Sequence, residues 1–341
     1  MYELKYLLIL YKNKIMKTST QNYITMFIIL TVAGFLYDRY KLKTQHDEEA
    51  DQYQMIQKYL LNDSSLARSN KPIIWIHLEF MKNSRLWSSF YSRTSYELNQ
   101  PYLHLTIKSI IEKCGESFNV CLIDDESFTK IIPGWTINIE SLASPIKNHV
   151  RELALARMLY YYGGFVVPAS FVCFQNLSSL YEKSLKNKDA FVIETVPENI
   201  TTGMVDVFPS SKFMGCKKNS SVMKEYYQYL EQINSQDFTS EVDFDGTTSK
   251  WLYEKCLQEK IEKVSGSLVG VKNKEGKTIT VDDLMSENYL NLSEKCCGIY
   301  IPSEQILRRS KYEWFARMSF QQILTCDSII CKHILLSNKV N

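Results

Sequence analysis

Short apolar runs separated by helical patterns constrain the fold of this chain more than any other feature of its sequence. The runs are residues 73–78 (IIWIHL), 119–123 (NVCLI), 165–167 (FVV) and 191–195 (FVIET). Such runs, bounded by turn-forming residues, are typical of strands buried on both faces of a parallel sheet. Residues at helical spacing lie over 102–114, 149–162 and 220–233. The alternation predicts an α/β domain, with an open, mostly parallel sheet and helices on both faces.

A different apolar segment precedes this domain. Residues 22–37 (NYITMFIILTVAGFLY) contain no charged residue. As a helix they would extend about 24 Å, a little less than a hydrocarbon core of about 30 Å. Basic residues flank the segment, and no small-residue cleavage motif follows it. We therefore predict an uncleaved transmembrane anchor, the alternative being a buried core helix.

The anchor divides the chain into four parts. They are a tail at 1–21, the anchor at 22–37, a polar stalk at 38–70 and a globular domain at 71–341. Three basic residues lie close to each side of the anchor, so their distribution does not decide its orientation. A type II orientation would make the domain lumenal. Five N-x-S/T sequons are weak evidence for that side; they start at Asn62, Asn176, Asn199, Asn219 and Asn291.

Composition excludes several classes of function. The formal net charge of +2 and the absence of a basic stripe with interleaved aromatic residues argue against a nucleic-acid partner. No G-x-S-x-G, Walker A, G-x-G-x-x-G or H-E-x-x-H motif is present. None of the nine cysteines forms a C-x-x-C pair, which argues against a structural zinc site. Their irregular spacing favours reduced, buried thiols and leaves an oxidising compartment open.

The most informative stretch is residues 150–180 (VRELALARMLYYYGGFVVPASFVCFQNLSSL). A helix rich in Leu and Ala runs into Gly163 and Gly164, which permit close backbone approach and an unusual turn. A strand, a break of small residues and a second apolar run follow. This order resembles the DxD-type sugar-nucleotide glycosyltransferases of the capsular-polysaccharide and mannosyl type, which have a GT-A fold. Residues 71–77 and 118–126 resemble the first two strands of that family.

The resemblance extends over residues 71–182. It implies a GT-A-like (nucleotide-diphospho-sugar transferase) fold. It also implies a nucleotide-sugar donor and a glycan or protein acceptor. Two later segments, 212–218 (KFMGCKK) and 314–319 (WFARMS), look like uncharacterised proteins of large DNA viruses. That second likeness implies a single-pass protein of a host endomembrane or of a virion membrane.

The sequence departs from the family where the metal binds. In the family, paired carboxylates hold a Mn²⁺ or Mg²⁺ ion that neutralises the leaving diphosphate. Counting from the glycines, those two positions are Pro168 and Ser170, and neither can supply an anionic ligand. The helix acid of the family falls on Glu152, but its arginine position falls on Leu155. We expect the nearby Arg151 and Arg157 to lie on other faces of the helix.

Other candidate residues lie where strands end. Asp124 and Asp125 follow the second strand and His77 ends the first, at the edge where α/β sheets bind ligands. The alternatives are a cap for the next helix and a packed histidine. The resulting substrate-binding candidates are His77, Asp124, Asp125, Glu152, Gly163, Gly164 and Ser170.

One further segment contains a literal D-x-D. Asp243 and Asp245 form a weak alternative metal site, at which Mn²⁺ or Mg²⁺ would bind. If this segment is extended, its alternation places three carboxylates on one side. A solvated loop is the alternative. Lys217 and Lys218 could meet a diphosphate, or form a solvated turn.

Two functional hypotheses therefore stand. One is a membrane-anchored glycosyltransferase that stabilises the leaving diphosphate with Lys, Arg or helix N-termini instead of the metal carboxylates. The other is a pseudoenzyme, in which the same fold serves as a membrane-tethered binding or structural domain, for example in a virion.

Overall fold

The apolar runs of the sequence form the core strands of the domain. The computed structural model describes residues 71–79, 100–196, 207–235, 241–308 and 311–338. All of these lie within one compact unit, Asn62–Asn341. The expected tail, anchor and stalk, at residues 1–70, lie outside the described residues. None of the helices in the described ranges is both long and apolar enough to cross a membrane.

Strands and helices alternate along most of the chain. In chain order the strands are β1 (Ile73–His77), β2 (Asn119–Ile123), β3 (Gly164–Val166), β4 (Phe171–Cys173), β5 (Ala190–Thr195), β6 (Phe208–Cys216), β7 (Glu262–Val264) and β8 (Gly298–Tyr300). The helices are α1 (Pro101–Cys114), α2 (Ser127–Ile131), α3 (Ile146–Tyr162), α4 (Ser178–Ser184), α5 (Ser221–Asn234), α6 (Glu241–Leu257), α7 (Val281–Met285), α8 (Ser303–Arg308), α9 (Glu313–Arg317), α10 (Phe320–Thr325) and α11 (Ile329–Asn338).

A six-stranded sheet, with strand order β2-β1-β3-β6-β5-β7, organises the domain. β1 pairs in parallel with β2 and with β3, and β5 pairs in parallel with β7. Only β6 runs antiparallel to both of its neighbours. A second, antiparallel sheet pairs β4 with β8. The prediction of a mixed α/β fold with a mostly parallel central sheet is confirmed, and it is consistent with the GT-A-like architecture that the resemblance implies.

The reversed strand β6 was not predicted from the sequence. Its first half, Phe-Pro-Ser-Ser-Lys, is too polar to be recognised from the sequence as a buried strand. The pairing with β5 is also irregular, because Val192 aligns with Met214 whereas the next residue, Ile193, aligns with Ser210. Residues 211–213 therefore form a bulge, a feature that redirects side chains and is frequent beside functional sites.

The Gly163-Gly164 pair permits the close approach expected from the sequence. Both residues have positive φ, 70° and 103°. A Cβ atom on Gly164 would lie 2.4 Å from the carbonyl oxygen of Ile73, and one on Gly163 would lie 2.8 Å from the amide nitrogen of Lys218. The Trp75 indole donates a hydrogen bond to the Gly163 carbonyl at 2.9 Å. The turn after α3 therefore presses directly against β1 and the end of β6.

We expect Gly164→Ala to destabilise the domain by about 2–5 kcal/mol, because it adds a backbone clash to an unfavourable φ. Gly276→Ala is the matched control. Gly276 also has positive φ, 85°, but a Cβ atom there would meet nothing within 4 Å. Its substitution should therefore cost only about 1–2 kcal/mol of conformational strain. Urea unfolding of the full-length chain measures both losses, and equal losses for the two variants would contradict the close approach.

Candidate functional site

A pocket of about 250 Å³ lies at the edge of the sheet where β1 and β3 end. α3 and the bulge of β6 contribute further walls. The lining residues are His77, Leu78, Glu79, Gln100, Leu103, Asn148, Arg151, Glu152, Leu155, Val166, Val167, Pro168, Ala169, Ser170, Ser211, Lys212, Met214, Tyr300, Ser303 and Glu304. Apolar walls with a few convergent charged groups are typical of small-molecule sites. The position also follows the rule that open α/β sheets bind ligands at the carboxyl ends of their strands.

A buried guanidinium dominates one end of this pocket. Arg151 donates two hydrogen bonds to Asp125, from Nε to Oδ1 at 2.9 Å and from Nη2 to Oδ2 at 2.7 Å. Its Nη1 atom lies 3.0 Å from a carboxylate oxygen of Glu79 and 3.1 Å from Oδ1 of Asn148. His77 Nε2 lies 3.0 Å from Oδ1 of Asp125. Asp125 thus holds α3 against β1 and fixes the guanidinium at the pocket wall.

The protonation of this pair follows from its contacts. Burial acts to raise the pKa of Asp125, but the hydrogen bonds from His77 and Arg151 hold that pKa well below its usual value. Burial acts in the opposite sense on Arg151, and its bonds to Asp125 and Glu79 raise the pKa of the guanidinium. Both groups are therefore charged at neutral pH, and Arg151 presents a permanent cation to the pocket.

Glu152 is the second charged group that α3 places in the pocket wall. Tyr226 donates a hydrogen bond to its carboxylate. Burial raises the pKa of Glu152, although hydrogen bonds from Tyr226, Ser211 and Thr248 act to lower it. The shift means that this carboxyl takes up a proton more readily than an exposed glutamate does.

The bulge of β6 brings a second cation into the pocket. Lys212 lies within the bulge, and its Nζ donates to the carboxylate of Glu304 at the start of α8. Residues 212–218 were noted in the sequence, but no role was assigned to Lys212. A strand bulge depends on pairing with a distant strand, so no local pattern reveals it. Glu79, Gln100 and Glu304 were missed for the same reason: only the assembled fold brings them to the pocket.

The structure also locates the positions that correspond to the metal ligands of the family that the sequence resembles. Pro168, Ala169 and Ser170 all line the pocket. The Ser170 hydroxyl donates to the Ile301 carbonyl at 2.7 Å, so it helps to join β4 to the strand end of β8. Within the described residues, no group of three or more His, Cys, Asp or Glu side chains is arranged to hold a metal ion.

The expectation for Arg151 was wrong. Arg151 and Leu155 both line the pocket, because residues four apart in a helix lie on the same face. The guanidinium therefore lies one turn before the position at which the family has its arginine. The expectation holds for Arg157, which donates to the Pro133 carbonyl at 3.1 Å and lies over the Trp135 ring.

The remaining candidates have mainly structural contacts. Asp124 accepts hydrogen bonds from the backbone amide and the hydroxyl of Ser127, as a local cap does. Gly163 and Gly164 shape the turn after α3. Lys217 pairs with Asp189 at 2.9 Å in an exposed turn, and neither it nor Lys218 is among the described residues that line the pocket.

The prediction of an alternative metal site at Asp243 and Asp245 assumed that their backbone is extended. Asp243 and Asp245 instead lie in α6, within Glu241–Leu257. The alternation that would place three carboxylates on one side of a strand does not apply to a helix, so this premise of the weak alternative metal site was wrong.

Comparison with known proteins gives distant structural likenesses only. No protein-family model and no curated protein matches the chain. A glycosyltransferase involved in the glycosylation of the major capsid of PBCV-1 has 9% identity, covers 58% of this chain and 84% of its own, and has a TM-score of 0.34. The PaToxG glycosyltransferase has 12% identity, covers 62% and 80%, and has a TM-score of 0.32.

The third structure is 4-diphosphocytidyl-2C-methyl-D-erythritol synthase from Anaerococcus prevotii. It has 15% identity, covers 62% of this chain and 94% of its own, and has a TM-score of 0.30. At such TM-scores, these three likenesses carry no argument about function.

We expect Asp125→Asn to reduce the free energy of unfolding by about 3 kcal/mol at neutral pH, because it removes the largely buried carboxylate that Arg151 contacts and leaves only the exposed one of Glu79. The pKa of Asp125 is lowered on folding. Its stabilising contribution is therefore complete above the unfolded value of about 3.9, and it is lost as the pH falls from there towards the folded value. The difference between the variant and the original chain should shrink accordingly below about pH 4.

Asp124→Asn is the control, since asparagine keeps a side-chain oxygen that can accept the Ser127 bonds. Denaturant unfolding of the full-length chains at several pH values measures both effects. A similar, small loss for both variants at neutral pH would show that Asp125 does not hold the guanidinium.

Proposed function

We propose that this protein is a glycosyltransferase-like protein that binds a nucleotide-diphosphate sugar in the pocket between β1, β3, α3 and β6. The observation that carries the proposal is the position of Arg151. This buried guanidinium, fixed by two hydrogen bonds to Asp125, lines the same pocket as residues 168–170. Those residues occupy the place at which the related family holds the metal ion of its diphosphate site.

The charges of the pocket suit the chemistry of such a transfer. When the bond between the anomeric carbon and the diphosphate oxygen breaks, negative charge develops on the leaving diphosphate. A fixed cation aimed at that charge stabilises the transition state, because it needs no reorganisation during the reaction. Arg151 offers the fixed charge of a guanidinium that Asp125 holds in place, and Lys212 offers a point charge from the bulge of β6. Protonation of Glu152, which its raised pKa favours, would reduce the repulsion of the same anion.

The proposed site does not use a pair of metal-binding carboxylates. Pro168 and Ser170 provide no carboxylate, so the residues present do not fit the metal pair of the related family. No step of the proposed reaction is routed through a metal ion. The cationic side chains are proposed to contribute the neutralisation that Mn²⁺ or Mg²⁺ contributes in that family.

A second candidate function is binding without transfer. It is favoured by the absence of carboxylates at Pro168 and Ser170, since one metal contact can contribute several kcal/mol to transition-state stabilisation. In that case the pocket would hold a nucleotide sugar or a related anion without transferring the glycosyl group. The apolar segment at residues 22–37 would in both cases tether the domain to a membrane, as a type II anchor if the domain is lumenal.

We expect at least one nucleoside diphosphate sugar to stabilise the full-length chain against thermal unfolding. A ligand at one hundred times its Kd should add about 2.7 kcal/mol to the free energy of unfolding. Because the proposed site uses side-chain cations, the shift should be the same with Mn²⁺ and with a chelator. The absence of any shift across a panel of donors would overturn the proposal. A shift that needs Mn²⁺ and is lost in Asp243→Ala with Asp245→Ala would place the site on α6 instead.

We expect Lys212→Gln to weaken nucleotide-sugar binding about tenfold or more, because a charge-assisted hydrogen bond to the diphosphate is lost. Lys217→Gln is the matched control, since it removes an equal charge from the end of the same strand, outside the pocket. Isothermal titration of the two variants measures the difference. Equal affinities would remove Lys212 from the site, and product formation measured beside binding separates transfer from binding alone.

A further inference from the structure

Two carboxylates in the pocket are more exposed to solvent than the cations that they contact. The Arg151 side chain is 10% exposed, whereas that of its partner Glu79 is 56% exposed. The Lys212 side chain is 28% exposed, and that of its partner Glu304 is 41% exposed. In both pairs the cation is the more buried member and the acid is the more accessible one.

The anchoring of Arg151 sharpens this contrast. Its Nε and Nη2 atoms both donate to Asp125, which is itself largely buried. Only Nη1 contacts Glu79. If Glu79 moved away, the bonds to Asp125 and the bond from Nη1 to Asn148 would keep the guanidinium in position at the pocket wall. The cation is therefore fixed, whereas the exposed acid is held chiefly by an interaction of the kind that solvent weakens.

Glu79 and Glu304 reach the pocket from different parts of the chain. Glu79 follows β1, and Glu304 lies in the first turn of α8, yet both line the cavity. Each places a carboxylate on a cation that an anionic ligand would need. Among the described lining residues, Glu79 thus contacts the cation Arg151 and Glu304 contacts the cation Lys212.

We propose that Glu79 and Glu304 are displaceable counter-anions that occupy the diphosphate position until a ligand with two linked anionic groups replaces them. This inference rests on the proposed function of the same pocket. Without ligand, Glu79 adds a second carboxylate to the Arg151 guanidinium, and Glu304 supplies a carboxylate to Lys212. With ligand, the two cations exchange carboxylates for phosphate oxygens, and the acids move into solvent.

The exchange makes the pocket selective for the number of linked anions. A monophosphate can replace only one acid and leaves the other pair in place. A diphosphate can replace both while it loses translational freedom once, so the second contact is favoured by its proximity to the first. The ligand class is therefore a diphosphate, with inorganic pyrophosphate as its smallest member.

The test measures binding of inorganic pyrophosphate and of orthophosphate to the full-length chain by isothermal titration. The variants are Glu79→Gln, Glu304→Gln and the double variant. Each substitution removes a competing charge and keeps the side-chain shape, so each should tighten pyrophosphate binding about two- to fivefold, and the double variant by about the product. Orthophosphate binding should change less in the double variant.

Glu262→Gln is the matched control. The Lys188–Glu262 pair has exposures of 23% and 41%, close to those of Lys212 and Glu304. Glu262 is not among the described residues that line the pocket. Its substitution makes the same change in net charge and should leave pyrophosphate affinity unaltered. Thermal unfolding of every variant confirms that a comparable folded fraction is titrated.

The outcomes separate this inference from the proposed function. If nucleotide sugars bind but the pocket variants bind pyrophosphate no more tightly than Glu262→Gln does, the inference is overturned and the function stands. If the pocket variants bind pyrophosphate more tightly and no nucleotide sugar binds, the counter-anions are supported and the function fails. If no chain binds any of these ligands, both are overturned.

Discussion

The paired hydrogen bonds between Arg151 and Asp125 are the interaction on which the rest of this site depends. They join the middle of α3 to the end of β2, and His77 extends the contact to the end of β1. A guanidinium that is buried in this way needs a charged partner with matching geometry, and Asp125 supplies it. The pair therefore stabilises the packing of the helix on the sheet, and it also fixes a cation at the wall of the pocket. One contact serves the fold and the site together.

The other charged groups of the pocket are arranged around that fixed cation. The bulge of β6 adds Lys212 to the pocket lining, and the neighbouring Glu152 has a raised pKa because it is buried. Pro168 and Ser170 stand at the positions that are carboxylates in the family that the sequence resembles. A diphosphate site without a metal pair needs cationic side chains held in place before the ligand arrives, because preorganisation is what makes such charges effective. In the structure, Glu79 contacts Arg151 and Glu304 contacts Lys212.

Local sequence patterns predicted some of these features correctly and others wrongly. Residues 191–195 form a strand whose side chains are all buried, as expected. Residues 119–123 also form a strand, but it lies at the edge of the sheet, where only Ile123 is buried and Leu122 is 48% exposed. The positive φ of Gly163 and Gly164 agrees with the turn expected there. The expectation for Arg151 failed because a spacing that applies to Arg157, two residues from Leu155, was applied to both arginines. Arg151 lies four residues from Leu155 and shares its helix face. Asp243 and Asp245 were treated as extended, yet their segment is helical.

The sequence by itself determined the mostly parallel α/β architecture, the turn at Gly163-Gly164 and the lack of carboxylates at positions 168 and 170. Each of these follows from local residue type and spacing, which act over a few residues. Only the tertiary structure decided that β6 is reversed and bulged, that Glu79 and Glu304 reach the same cavity, and that Asp125 pairs with a guanidinium 26 positions away. Those features depend on pairing and packing between distant segments, and no local pattern records such contacts.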